Sequence, residues 1–510
     1  MKKGMLSTLI AAVFLLTGIP VGAAEKEERK LQDETVYLLM VDRFNNGDFS
    51  NNFEVNTKDP TAFQGGDFQG IIDQLDYIKD MGFTSILLTP IFDNSSMGYH
   101  GYWVTDYYKT EEHFGSIETF KQLVEEAHNR DIKIILDFVA NSVSPEHEWV
   151  NDPAKEDWFH EDSLSANQGD QEQLEGLPDL NHDNPEVRDY LMEAAKWWIS
   201  ETNIDGYRLD SVNHVPADFW TEFTHEVKSM KEDFYLLGEV PSNEPAEIAQ
   251  YNQTEIDGFL NYPLMEPLRT AFAQPGQPLD MLFSVSEQNE SVYKDPYLMM
   301  SFMDNHDTVR FTRDAINNNQ HPGARWKLAL TYLYTTPGIP AVYYGSEIAL
   351  DGGEAPENRR LMDFRTDKEL VDHITKLGEL RADLPSLTRG TMELLYEANG
   401  MAVYKRVYED ETTVIAINNT TETHSVTLTS EHLEGEMELR GLLANDLIRS
   451  NGEEYLLVLD REESEIYVLA ERTGLNIPYL VVMGTVYAAF FGFIYLLWKR
   501  AKRKNSEENE

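Results

Sequence analysis

Apolar runs of strand length recur along this 510-residue chain, and each one ends in polar residues. Lys133-Ile134-Ile135-Leu136-Asp137-Phe138-Val139-Ala140-Asn141 is one, and Phe234-Tyr235-Leu236-Leu237-Gly238-Glu239-Val240 is another. A third runs from Leu298 into Asp304-Asn305-His306-Asp307. Val36 to Phe44, Ser85 to Phe92, Gly258 to Leu264 and Ala341 to Tyr344 read as further strands, with helix-length segments between them. Strands covered on both faces read as continuous apolar runs, which is the mark of a parallel sheet. Polar residues gathered at the C-terminal strand ends predict an α/β fold, a (β/α)8 TIM barrel with its site at that face.

Gly206-Tyr207-Arg208-Leu209-Asp210-Ser211-Val212-Asn213-His214 carries the sharpest chemistry. Arg208 and Asp210 stand two apart on a strand, so period two puts both on one face. A guanidinium beside a carboxylate is either a structural ion pair or a means of keeping a nucleophilic acid ionised.

Composition narrows the choice. The chain is 41% apolar, enough for a large barrel and a smaller second domain, and it has no cysteine for disulfides or thiol chemistry. A formal charge of −47 argues against nucleic acid, whose phosphates require a basic face, and fits a solvated acidic surface. From Arg389 the pattern turns to alternating strands, with Asn399-Gly400 and Asn451-Gly452 as hairpin signals. That predicts a β-rich domain over residues 389–470.

The ends carry two more apolar segments. Lys2 and Lys3, the run Leu6 to Pro20 and the small residues Val21 to Ala24 read as a signal peptide over residues 1–24. Leu475 to Trp498 is uncharged and long enough for a transmembrane helix, and Lys499, Arg500, Lys502, Arg503 and Lys504 follow it. The expectation is export, a membrane anchor over 475–498, a cytoplasmic tail over 499–510, and an extracellular catalytic part.

Taken in order, Asp137 to Asn141, Gly206 to His214, Gly238-Glu239-Val240 and Asn305-His306-Asp307 resemble the four signature regions of the α-amylase family, family 13 of the glycoside hydrolases. Gly82 to Pro90, Leu177 to Asn181 and Gly338 to Gly345 resemble three auxiliary regions, so the likeness extends from near Thr35 to near Ala470. The resemblance implies Asp210 as nucleophile, Glu239 as acid and then base, and Asp307 with His306 gripping sugar hydroxyls. Leu236, Leu237 and Val240 around Glu239 suggest a site able to raise its pKa. Tyr102, within Tyr99-His100-Gly101-Tyr102-Trp103, would lie under the sugar ring, with His100, Trp103, Arg208, Asn213, Asn305 and Arg365 as further substrate contacts.

The same resemblance divides the chain into barrel segments over 25–140 and 186–388, with an inserted domain B after strand 3 over 141–185. It implies calcium held by Asn141, Asp179 and the His214 carbonyl. A second calcium would sit on Asn46, Asp48, Asn51, Asn52, the Gly65 carbonyl and Asp67, hard oxygens suited to that ion. One departure stands out. The family has a histidine after the asparagine of its first region, touching the sugar's 6-hydroxyl, where this chain has Ser142. Trp197 and Trp198, on a helix starting at Asn184-Pro185-Glu186, resemble the tryptophan pair of membrane-anchored bacillar α-amylases. As neighbours they point about 100° apart and cannot both be fully core.

Three functions remain open at this point. The first is a retaining, endo-acting α-amylase on starch, glycogen and maltodextrins. The second is a 4-α-glucanotransferase or cyclomaltodextrinase of neopullulanase type. The third is a non-catalytic, membrane-tethered glucan-binding protein, which the complete set of three acids disfavours. α-Glucans are the expected partners, with no nucleic acid, and the chain is expected to be a monomer.

Overall fold

The structure, a computed structural model, describes residues 29–160, 177–365, 368–472 and 477–507. The signal peptide expected over residues 1–24 lies outside them. Eight parallel strands form the barrel: β1 Val36–Leu39, β2 Ser85–Leu88, β3 Lys133–Phe138, β4 Gly206–Leu209, β5 Tyr235–Gly238, β6 Gly258–Phe259, β7 Met300–Ser301 and β8 Ile339–Tyr343. Hydrogen bonding runs β6-β5-β4-β3-β2-β1-β8-β7. The ring is nearly closed, since a single parallel bridge from Leu260 to Met300 joins β6 to β7. Branched and aromatic side chains fill the interior, leaving a cavity of about 20 Å³ among Leu38, Leu87, Met300 and Ala341.

Several strands stop sooner than expected. β1 ends at Leu39, and Val41–Phe44 is one turn of helix. β6 is two residues long, and Tyr262–Phe272 is a helix with proline in its first turn. The Asn261-Tyr262-Pro263 start signal was hidden inside an apolar run that also reads as strand.

The helix Pro185–Thr202 forms as its sequence dictates. The Asn184 side chain accepts from the Glu186 amide at 2.9 Å, and Asn203 ends the helix in the left-handed region at φ 57°. Val187, Leu191, Ala194 and Trp198 are buried on its inner face. Trp198 also donates its indole N–H to the Tyr107 carbonyl at 2.6 Å, so burial and hydrogen bonding agree. Trp197 is half-buried, with its ring centroid 5.3 Å from that of Tyr108.

The C-terminal domain is a six-stranded antiparallel sheet beside the strand pair His424–Thr429 and Glu454–Leu459. Asn399 and Gly400, at φ 54° and 85°, turn the hairpin between Thr391–Ala398 and Met401–Tyr408, as expected. Asn451-Gly452 does not make a hairpin. Its flanking strands pair elsewhere, Leu447–Arg449 with Met437–Gly441 and Glu454–Leu459 with His424–Thr429. A turn signal sets the local bend, whereas pairing follows the burial of Tyr455, Leu457 and Leu459. Met401 and Val403 pack within this domain, while Ala402 and Tyr404 face the barrel core. Period two thus glues the sheet to the barrel. Ile477–Glu507 is a helix, and its segment Val481–Arg500 is long and apolar enough to cross a membrane.

Candidate active site

Arg208 sits at the centre of the C-terminal face, on β4, with its side chain 2% exposed. Its Nη1 lies 2.6 Å from Asp137 Oδ2, at the end of β3, and 2.8 Å from Asp210 Oδ1. Its Nη2 lies 2.5 Å from Glu239 Oε2, just after β5. Period two therefore places Arg208 and Asp210 together, and one guanidinium also gathers the acids of the two neighbouring strands. Asp210 Oδ2 is buried without a hydrogen-bond partner among the described residues.

The expectation that Arg208 alone keeps Asp210 ionised is too simple. Burial drives the Asp210 carboxyl well above the usual range, Arg208 opposes this, and Glu239, Asp137 and Asp307 add to the rise. A single guanidinium serves three carboxylates, so its charge is divided among them and does not by itself offset the burial of Asp210. Asp307 behaves in the opposite way. Burial works to raise it, but His306, Arg359 and Arg208 outweigh that and hold it below the usual range.

Tyr102 links the two sides of the site. Burial and Asp137 push its phenol well above the usual value, so it keeps its proton. It donates to Asp137 Oδ2 at 2.6 Å and must accept from His306 Nε2 at 2.7 Å. His306 Nε2 therefore carries hydrogen, and it also lies 3.1 Å from Asp307 Oδ2. Asn305 Oδ1 accepts from the Asp307 amide at 2.9 Å. His100 is buried; its Nδ1 accepts from the Tyr102 amide at 3.1 Å, and burial, reinforced by Arg359, lowers it to about 3. Trp103 lies beside it, ring centroids 4.8 Å apart.

Two expected contacts are not brought to this cluster. Arg365 is exposed and pairs with Asp363 at 3.2 Å. Asn213 is exposed on the turn after β4. Arg359, which sequence reasoning passed over, takes the inner place and reaches Asp307 Oδ1 at 3.3 Å. The run Asn358-Arg359-Arg360 offered three polar side chains and no period to choose among them. Tyr262 also escapes sequence reasoning, because the apolar run Gly258 to Leu264 reads as strand. It donates to Glu239 Oε1 at 2.7 Å and accepts from Asn305 Nδ2 at 3.3 Å.

Two oxygen clusters lie on the loops that follow β1 and β3. With its nitrogen donating, the Asn141 amide reaches Asp179 Oδ1 at 2.8 Å and the His214 carbonyl oxygen at 3.1 Å. A carboxylate, a backbone carbonyl and a side-chain amide brought to one point supply the oxygen donors a hard metal ion takes, so these residues fit one when the amide presents its oxygen. In the other cluster, any side chain on Gly65 would meet Asn46 Nδ2 and Asn52 Oδ1. Asn46 Oδ1 and Asn51 Oδ1 are buried without hydrogen-bond partners among the described residues. Asp67 already accepts from the Gly47 and Asp48 amides at 3.1 and 2.8 Å, while exposed Asp48 caps Ser50 at 2.8 Å. The second set therefore fits a cation through its asparagines better than through its acids. Ser142 bridges to Asp179 through the backbone, and its Oγ is buried without a hydrogen-bond partner among the described residues.

A parallel barrel that presents three carboxylates around one arginine, beside the stacked rings of Tyr102 and His306, has the layout of a carboxylate-dependent glycoside hydrolase. The comparisons make that class specific. The α-amylase catalytic domain model matches residues 38–379, and the α-amylase C-terminal domain model matches residues 390–467. The chain belongs to the α-amylase family, family 13 of the glycoside hydrolases.

Among curated proteins, it is 32% identical over 459 residues to a beta/alpha-amylase of Paenibacillus polymyxa, covering 85% of this chain but 38% of that protein. It is also 32% identical over 449 residues to a cyclomaltodextrinase of Thermoanaerobacter pseudethanolicus, covering 83% of this chain and 76% of that one. Among solved structures, an Anoxybacillus alpha-amylase superposes with a TM-score of 0.84 at 58% identity, covering 88% of this chain and 100% of that one.

Proposed function

We propose that the chain is a retaining α-amylase that cleaves internal α-1,4-glucosidic bonds of starch, glycogen and maltodextrins. The observation that carries this is the single arginine in contact with both Asp210 and Glu239. Two acids on neighbouring strand ends that share one guanidinium face a single glycosidic bond.

Asp210 Oδ2 attacks the anomeric carbon while Glu239 passes its proton to the leaving oxygen, and a covalent glycosyl ester forms. Glu239 then takes a proton from water, which opens the ester and returns Asp210 as a carboxylate. The mechanism needs Glu239 protonated and Asp210 ionised when substrate is bound. Asp307, held ionised by His306 and Arg359, grips the sugar hydroxyls as the ring flattens. Tyr102 floors the ring.

Calcium belongs to this reading as a structural ion. Asn141, Asp179 and the His214 carbonyl would hold it, and it would supply rigidity to the cleft wall, not chemistry to the bond. The helix Ile477–Glu507 supports a membrane anchor, which would hold the barrel close to a bilayer.

A second reading, cyclomaltodextrinase or glucanotransferase action, is favoured by the curated relatives' names. Product chromatography from soluble starch separates the two. Internal cleavage gives a ladder of shorter maltooligosaccharides, whereas products longer than an added maltooligosaccharide, or exclusive action on cyclic dextrins, would overturn the α-amylase reading.

A further inference from the structure

Arg43 lies in the single helical turn after β1 and is fully buried beside Asp42. Burying a guanidinium is costly unless every arm is used. Nε stands 2.8 Å from Asp42 Oδ2, an ion pair without hydrogen-bond geometry. Nη2 donates to the carbonyls of Pro60 and Ala62 at 2.9 and 3.0 Å, and Nη1 donates to the Arg359 carbonyl at 3.2 Å. The guanidinium lies over the Tyr99 ring, 3.9 Å from its centroid. Asp42 in turn accepts from the amides of Gln64 and Gly65 at 2.8 and 3.0 Å. The Asp42–Arg43 pair thus clamps the loops that follow β1, β2 and β8.

The clamp leads to the site through Arg359. Tyr99 OH accepts from Arg359 Nη1 at 3.3 Å, and Arg359 sends Nη2 to Asp307 Oδ1 and Nε to the His306 carbonyl at 2.9 Å. The Asp307 side chain is 32% exposed, so packing alone does not set its position. Arg359 and the His306 ring nitrogen are the donors that reach its two oxygens among the described residues. The Arg359 contact is one long bond, not a bidentate fork, so its direction depends on the backbone and ring that Arg43 holds.

We propose that Arg43 is a positioning residue for Asp307, acting through Arg359 and the Tyr99 ring without reaching the sugar. The inference rests on the reading of Asp307 as the acid that grips the sugar in the transition state. A hydrophobic pair of equal volume could fill this space, but it could not fix the Arg359 carbonyl or stack flat on Tyr99.

The test is steady-state kinetics on soluble starch for wild type, Arg43→Lys and Tyr99→Phe, with Tm measured on each. Lysine can still pair with Asp42 but has neither fork nor plane, so kcat should fall about tenfold while KM stays within about twofold. Tyr99→Phe keeps the ring and loses only the hydroxyl, so kcat should fall about threefold at unchanged Tm. If Arg43→Lys fails to fold, the Tyr99→Phe result decides. A wild-type kcat in the folded variants, or a rise in KM alone, would overturn the positioning role and leave the amylase reading intact. A wild-type chain that does not hydrolyse starch would take down both.

Discussion

Tyr262 donates its hydroxyl to Glu239 Oε1 across 2.7 Å, while Arg208 holds the other oxygen of the same carboxylate at 2.5 Å. Burial and Glu239 itself push the Tyr262 phenol well above its usual value, so it remains a donor. Glu239 is thereby pinned at both oxygens before any sugar arrives. Tyr262→Phe should free one oxygen and lower kcat about fivefold with little change in KM. Initial rates across maltoheptaose concentrations check this, and an unchanged kcat would make the contact incidental.

Removing a reacting acid should do far more. Asp210→Asn, Glu239→Gln and Asp307→Asn each keep the volume and lose the charge or proton, so turnover on starch should fall by about 10³-fold or more. Circular dichroism should show the fold retained. Wild-type turnover in any one of the three would strip that residue of its role.

His147 gives a test of stability against pH. Its Nδ1 caps the Trp149 amide at 3.1 Å, and burial, opposed by Asp106, lowers it from 6.5 to about 4. Unfolded imidazole takes a proton below its ordinary value, whereas the folded one stays neutral until about 4. Its contribution to stability is therefore complete above pH 6.5 and lost as pH falls toward 4. His147→Asn can keep the cap without the titration. Its Tm should fall less than wild type's between pH 7 and pH 5, by the equivalent of about 1–2 kcal/mol.

The gathering of Asn141, Asp179 and the His214 carbonyl predicts a chelator effect. Chelation should lower Tm by roughly 5 °C, restored by calcium, and Asp179→Ala should abolish the difference. A wild-type Tm indifferent to chelator would remove the ion from this site.

The apolar helix predicts partitioning. The full chain should sediment with membranes and require detergent, while the chain ending at Arg472 should stay in the aqueous phase. Full-length chain in the aqueous phase would remove the anchor.

The sequence by itself determined the elements whose cause is local. Continuous apolar runs made the parallel strands, Asn184-Pro185 started its helix, Asn399-Gly400 turned its hairpin, and period two set Arg208 beside Asp210. Tertiary structure decided whatever depends on meeting at a distance. It let Arg208 serve three carboxylates at once, brought Tyr262 to Glu239, and chose Arg359 over Arg365 for the inner place. It also left Asn451-Gly452 a turn without a hairpin. The physical reason is that dihedral and burial preferences act over a few residues. A charge or hydrogen bond pairs with whatever the folded barrel brings within about 3 Å, and no spacing along the chain encodes that neighbour.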